Sequence, residues 1–166
     1  MKAAARMLLL AAALAVAPAI ASAQGATFTI RALTPETALK AAQAALAKCR
    51  ADGFQVTVAV VDRAGLTQVL LRDRFAGAHT VEVAANKAWS AVSFRTNTGE
   101  LDKASRTGSM AGIRHFPRLV AVGGGMMIQA GGSLLGGIGV SGAPGGDADD
   151  VCATAGIKAI ADDLEF

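Results

Sequence analysis

The chain has 166 residues, 52% of them hydrophobic and 17% charged, which suits one domain with a real core. Sixteen Lys and Arg stand against thirteen Asp and Glu, with no basic block of the kind that tracks phosphates, so nucleic acid is not an expected partner. Two cysteines and two histidines form no close cluster, which excludes a zinc site.

The chain opens on a cleavable export signal, expected over residues 1–23. Lys2 and Arg6 give a positive start, and Met7 to Val16 give a short apolar run. Pro18 breaks it, and Ala21-Ser22-Ala23 offers small side chains to a peptidase before Gln24. The strongly apolar part is far shorter than the roughly 20 residues of a spanning helix, so no membrane span is expected after cleavage. Lys2 and Arg6 leave with the signal and no acid does, so the basic balance belongs in part to the leader. Residues 24–166 are expected to work in the periplasm or outside the cell.

A short alternating piece, Thr27-Phe28-Thr29-Ile30, reads as a strand. Thr34-Pro35-Glu36 then starts a helix: threonine caps, proline fits the first turn, and glutamate meets the positive end of the dipole. Leu39, Ala42, Leu46 and Cys49 give it an apolar face, and Asp52-Gly53 ends it. Val56 to Asp62 is a β-branched run, a buried strand that turns at Arg63-Ala64-Gly65 and returns from Leu66 to Asp73. The loop Arg74 to His79 leads to a second helix, with Thr80 as its cap, Phe94 near its end and Val81, Ala84, Ala88 and Val92 as its stripe. Residues 100–105 predict a short helix, and 108–117 an irregular stretch. Leu119 to Val122, Met126 to Gln129 and Leu134 to Val140 read as strands broken by glycines. A last helix spans about Asp150 to Ile160, capped by Asp147 or Asp149. This order predicts a single α+β domain with an antiparallel sheet rather than a βαβ chain. Cys49 and Cys152 are either joined across a loop of about 100 residues or are two buried small hydrophobes.

Four pieces occur in order: Val58-Ala59-Val60-Val61-Asp62 with Gly65, Asn86-Lys87-Ala88, Gly123-Gly124-Gly125, and Gly137-Ile138-Gly139-Val140-Ser141-Gly142-Ala143. Together they resemble the GlcG/HbpS-like family, which includes the C-terminal domain of PduO-type proteins, over nearly the whole of residues 24–166. The resemblance implies a profilin-like antiparallel sheet flanked by helices, and assembly into homo-oligomers from dimers to octamers. It also implies non-covalent binding of haem or a related tetrapyrrole by some members, in sensing, storage or redox support. Other members sit beside oxidative or corrinoid-linked systems, so a cofactor-free accessory protein for a periplasmic partner enzyme is the alternative. No catalytic residue is assigned.

His79 is the leading candidate for an iron ligand, in a loop before a helix. Phe75 is expected to pack on a macrocycle face, with Arg72, Arg74 or Lys87 pairing its propionates. The alternative for His79 is a surface loop histidine whose side chain closes the turn or caps the helix. Arg114, His115 and Arg118 are a second candidate, an anion patch for propionates or a carboxylate substrate, against a solvated loop. Met110, Met126 and Met127 read as gap-fillers rather than ligands. No C-x-x-C-H is present, which excludes covalent haem attachment. Gly137 to Gly142 matches G-x-G-x-x-G but opens no βαβ unit, so its glycines are structural. Ser141 lacks the setting of a hydrolase nucleophile. Asp62 and Asp73 are read as turn residues rather than paired catalytic acids, and Trp89 as core or subunit interface.

Overall fold

A computed structural model describes residues 25–164; the export signal expected over residues 1–23 lies outside them. Thr34 opens the first helix as predicted: its backbone is extended and its Oγ1 accepts the N–H of Thr37 at 3.2 Å, with Pro35 in the first turn. This helix, α1, is Pro35–Ala51. Strands β1 (Thr57–Asp62) and β2 (Thr67–Arg72) form the first hairpin. The Asp62 carboxylate closes its turn by accepting the N–H groups of Ala64 and Leu66 at 2.8 and 2.9 Å. Helices α2 (Thr80–Phe94) and α3 (Thr98–Ala104) and a 3-10 segment (Gly108–His115) follow. A second hairpin, β3 (Gly125–Ala130) and β4 (Ser133–Ser141), leads to α4 (Gly146–Ala159).

The strands form one antiparallel sheet in the order β2-β1-β4-β3. Alternation of side chains along each strand divides the core between its faces. Val58, Val60, Ile138 and Val140 point to the face covered by α1 and α4. Val61 and Leu134 meet Ala88 and Val92 of α2 on the other. Helix α2 lies so near β4 that a Cβ on Gly139 would fall 2.0 Å from the Ala84 carbonyl oxygen, and only glycine permits that approach. The α+β domain and its flanked antiparallel sheet are thus as the sequence predicts.

Cys49 of α1 and Cys152 of α4 are joined in a disulfide, with Cα atoms 5.5 Å apart and both side chains fully buried. Of the two alternatives left open by the sequence, the structure takes the bond.

Several local expectations are corrected. Thr27 to Ile30 forms no strand: no strand among the described residues pairs with it, and Phe28 and Ile30 stay exposed. Leu119 to Val122 is also outside the sheet, its Val120 N–H taken by the Ser90 hydroxyl rather than by a strand. Leu39 is exposed, because α1 packs on α4 through Ala38, Ala41 and Ala45 instead. Thr80 does not cap α2. It is the first helical residue, and its hydroxyl donates to the Gly77 carbonyl while pairing with the Thr57 hydroxyl. Helix α3 begins two residues early, and residues 108–115 are 3-10 rather than irregular. Helix α4 starts at Gly146, and neither Asp147 nor Asp149 caps it; Asp149 turns inward instead.

The bond between Cys49 and Cys152 spans a sequence separation of 103 residues, so it removes much freedom from the unfolded chain. Reduction, or Cys49→Ala with Cys152→Ala, is expected to cost about 2–5 kcal/mol. Urea unfolding with and without reductant measures it.

Candidate functional site

The loop from Asp73 to His79 is positioned by charge. Asp73 is 1% exposed at the end of the first hairpin. Both its carboxylate oxygens receive Arg50 of α1, from Nε and Nη2, at 2.8 Å each. The same carboxylate takes the Arg74 N–H, and the Arg72 guanidinium donates to the Ala76 carbonyl. These contacts fix both ends of the turn, so Phe75 and His79 project from a held loop rather than a loose one. Chiefly through its bond to Arg50, the Asp73 carboxyl is lowered to about 2.

Phe75 and His79 stand on one side of an open cleft of about 610 Å³, within the usual range of small-molecule sites. Phe54, Val83, Val120 and Val122 give it further apolar wall. The His79 ring folds over Gly77, where a Cβ would lie 2.7 Å from Cε1. His79 is exposed and makes no side-chain cap bond to α2. Neither ring nitrogen has a hydrogen-bond partner among the described residues, so the imidazole is a lone donor set at the cleft mouth.

The floor is polar. Lys87, on α2, is 2% exposed; its Nζ donates to the Val140 carbonyl at 2.9 Å and to Asp149 Oδ2 at 2.7 Å. Asp149 Oδ1 accepts the Ala143 N–H. Burial pushes the Asp149 carboxyl up, and Lys87 opposes that shift. Ser141 ends β4 beside Lys87, 6% exposed. Gln55 also lines the cleft, its Oε1 buried and unpartnered.

Of the residues singled out in the sequence, the fold therefore gathers His79, Phe75 and Lys87 in one cleft. Lys87 is not the free surface cation expected for a propionate, because the burial of Asp149 beside it demands a counter-charge. Arg74 is exposed next to Phe75 but does not line the cleft. Arg114 is not brought to it either: the guanidinium holds the Asp102 carboxylate and the carbonyls of Asp102 and Ser105. His115 lines a separate apolar hollow with Phe94, Ile113 and Phe116. Arg118 lies over the Trp89 ring, 4.7 Å from its centroid. The anion patch of Arg114, His115 and Arg118 is thus dispersed among other partners. Asp62 and Asp73 are likewise separately engaged, as turn and ion-pair residues. Ser141, Gln55, Val120 and Val122 are site residues that the sequence did not mark. Ser141 lay inside a glycine motif with a structural explanation, and the other three had no local signal.

A four-stranded antiparallel sheet between α2 and the disulfide-linked pair α1 and α4, with a cleft at one end, defines a small profilin-like α+β domain. More narrowly, a family model described as haem degrading protein HbpS-like matches residues 33–158, and the chain belongs to this HbpS-like family. It is similar to HbpS of Streptomyces reticuli, solved as a double mutant, at 37% identity and a TM-score of 0.75, over 95% of this chain and 97% of that one. It is similar to PduOC, solved as a heme complex, at 30% identity and a TM-score of 0.73, over 78% of this chain and 95% of that one. An uncharacterized 15.0 kDa protein from the dhaT-dhaS intergenic region of Citrobacter freundii is 35% identical over 116 residues, 68% of this chain and 82% of that protein.

Lys87→Met strands a buried carboxylate and is expected to destabilise by about 3–5 kcal/mol, while pairing it with Asp149→Leu restores most of the loss; urea midpoints decide it. For Asp73, folding lowers the pKa to about 2 from the usual ~3.9. Its contribution is therefore complete above about pH 4 and lost as pH falls toward about 2. Asp73→Asn should remove that part of the acid dependence of the denaturation midpoint.

Proposed function

We propose that this protein is exported and binds haem, or a closely related tetrapyrrole, non-covalently in the cleft beside His79. The observation that carries the reading is the imidazole at the mouth of an apolar-walled cleft, with no partner for either nitrogen among the described residues. The heme complex of PduOC supports it from within the family.

The residues present fit such a group. His79 offers an iron ligand, and Phe75, Phe54 and Val83 offer apolar surface to a macrocycle. When bound, haem would supply an iron centre able to take and give electrons. The chain's own part is to hold the macrocycle, exclude water from one side of it and supply the ligand. Both cysteines are consumed in the disulfide, which agrees with non-covalent binding. The same bond supports a periplasmic or secreted location, since such bonds persist in oxidising compartments.

Haemin titrated into the protein should produce a saturable Soret band near one equivalent per subunit. His79→Ala should weaken binding about tenfold or more, about 1.4 kcal/mol, while His115→Ala leaves it unchanged. Weak, non-saturating absorbance indifferent to both substitutions would remove the haem reading. It would turn attention to an accessory role beside a partner enzyme.

A further inference from the structure

We propose that the deep end of the cleft, where Ser141 and Lys87 meet the start of α4, is a subsite for a carboxylate. The proposal rests on the haem reading only for which molecule brings that carboxylate.

The first observation is Ser141. It is paired with Thr57 across β1 and β4, so the two side chains share a face. Thr57 points to α2, where its hydroxyl meets that of Thr80, and Ser141 therefore points the same way, into the cleft that it lines. Although 6% exposed, its hydroxyl has no partner among the described residues. A hydroxyl so placed is costly unless a ligand or solvent completes it.

Lys87 supplies the second. An ammonium carries three protons, and two are used, on Val140 and Asp149. The third has no acceptor among the described residues, and Lys87 also lines the cleft.

The chain between them adds backbone donors. Ser141 runs into Gly142 to Gly146 along the cleft rim, and α4 begins there with no side chain capping it. The Ala148 and Asp149 N–H groups are taken by the Gly145 carbonyl, while those of Gly146 and Asp147 have no backbone acceptor among the described residues and favour negative charge. Among the described residues Asp149 is the one acid that lines the cleft, and both its oxygens are occupied, by Lys87 and by the Ala143 N–H. Asp147 and Asp150 line a different groove, beside Lys103 and Arg106. A carboxylate, with two acceptor oxygens, fits the hydroxyl, the ammonium proton and the helix start together.

Two sources share this chemistry: a side-chain carboxylate of haem and a small free acid. Sodium acetate, titrated into the isotope-labelled protein with sodium chloride as the control, tests the subsite directly. Saturable shifts of the amide resonances from Ser141 to Gly146 are expected with acetate alone, and Ser141→Ala should weaken them severalfold. No saturable shift, or the same titration in Ser141→Ala, overturns the subsite. Haemin and its dimethyl ester then identify the source. Haemin should bind about tenfold more tightly than the ester, and Ser141→Ala should erase the preference. Equal binding of haemin and ester without an acetate response rejects the subsite and keeps the haem reading. An acetate response without haemin binding keeps the subsite, assigns it to a free acid and rejects the haem reading.

Discussion

The buried pair between Lys87 and Asp149 is the constraint on which the rest of the molecule turns. One ammonium, 2% exposed on α2, touches the carbonyl near the end of β4 and a carboxylate in the first turn of α4. That carboxylate in turn holds the backbone of the intervening loop at Ala143. Four pieces of chain from both faces of the sheet are thereby registered at one point. Desolvating two charges is expensive, and a hydrophobic substitute of the right shape is often as stable. What the ions add here is direction, since the ammonium must meet both acceptors at once and a greasy contact need not.

The cleft is the outcome of that registration. Helix α2 contributes Thr80, Val83 and Lys87 to its lining, and the start of α4 and the loop of Phe75 and His79 complete it. The loop has its own anchor in Arg50 and Asp73, so the two sides of the cleft are held by separate ion pairs. Between the anchors the packing is mostly apolar and tight. Gly139 lets the backbone of α2 settle onto β4, and a shared face of alanines lets α1 settle onto α4. The site is framed by two ion pairs and closely packed elements, which suits preorganised binding.

Much of this was legible in the chain because it depends on neighbours in sequence. Thr34 and Pro35 announce a helix start by local chemistry, and Val56 to Asp62 announces a strand by branching. His79 and Phe75 were visible as a loop histidine with an aromatic beside it. What was hidden depends on distance. Lys87 and Asp149 lie 62 residues apart, and nothing near Lys87 says that it is buried. Thr27 to Ile30 and Leu119 to Val122 have strand-like residues, yet a strand exists only where another lies alongside. Gly145 and Gly146 read as loop because glycine usually breaks helices, and here they open one. The disulfide stayed open until α1 and α4 were known to be neighbours.

Trp89 sits two residues beyond Lys87 on α2. It is stacked parallel to Phe116 at 6.2 Å, edge-on to Phe94, and lies against the turn at Gly65. The chain has one tryptophan and no tyrosine. Ultraviolet emission from this protein therefore has a single dominant source, fixed to the helix that walls the cleft. That makes the molecule its own optical gauge: the indole's brightness and colour register the tilt of α2 and the seating of Phe116, with no dye attached and no second fluorophore to subtract.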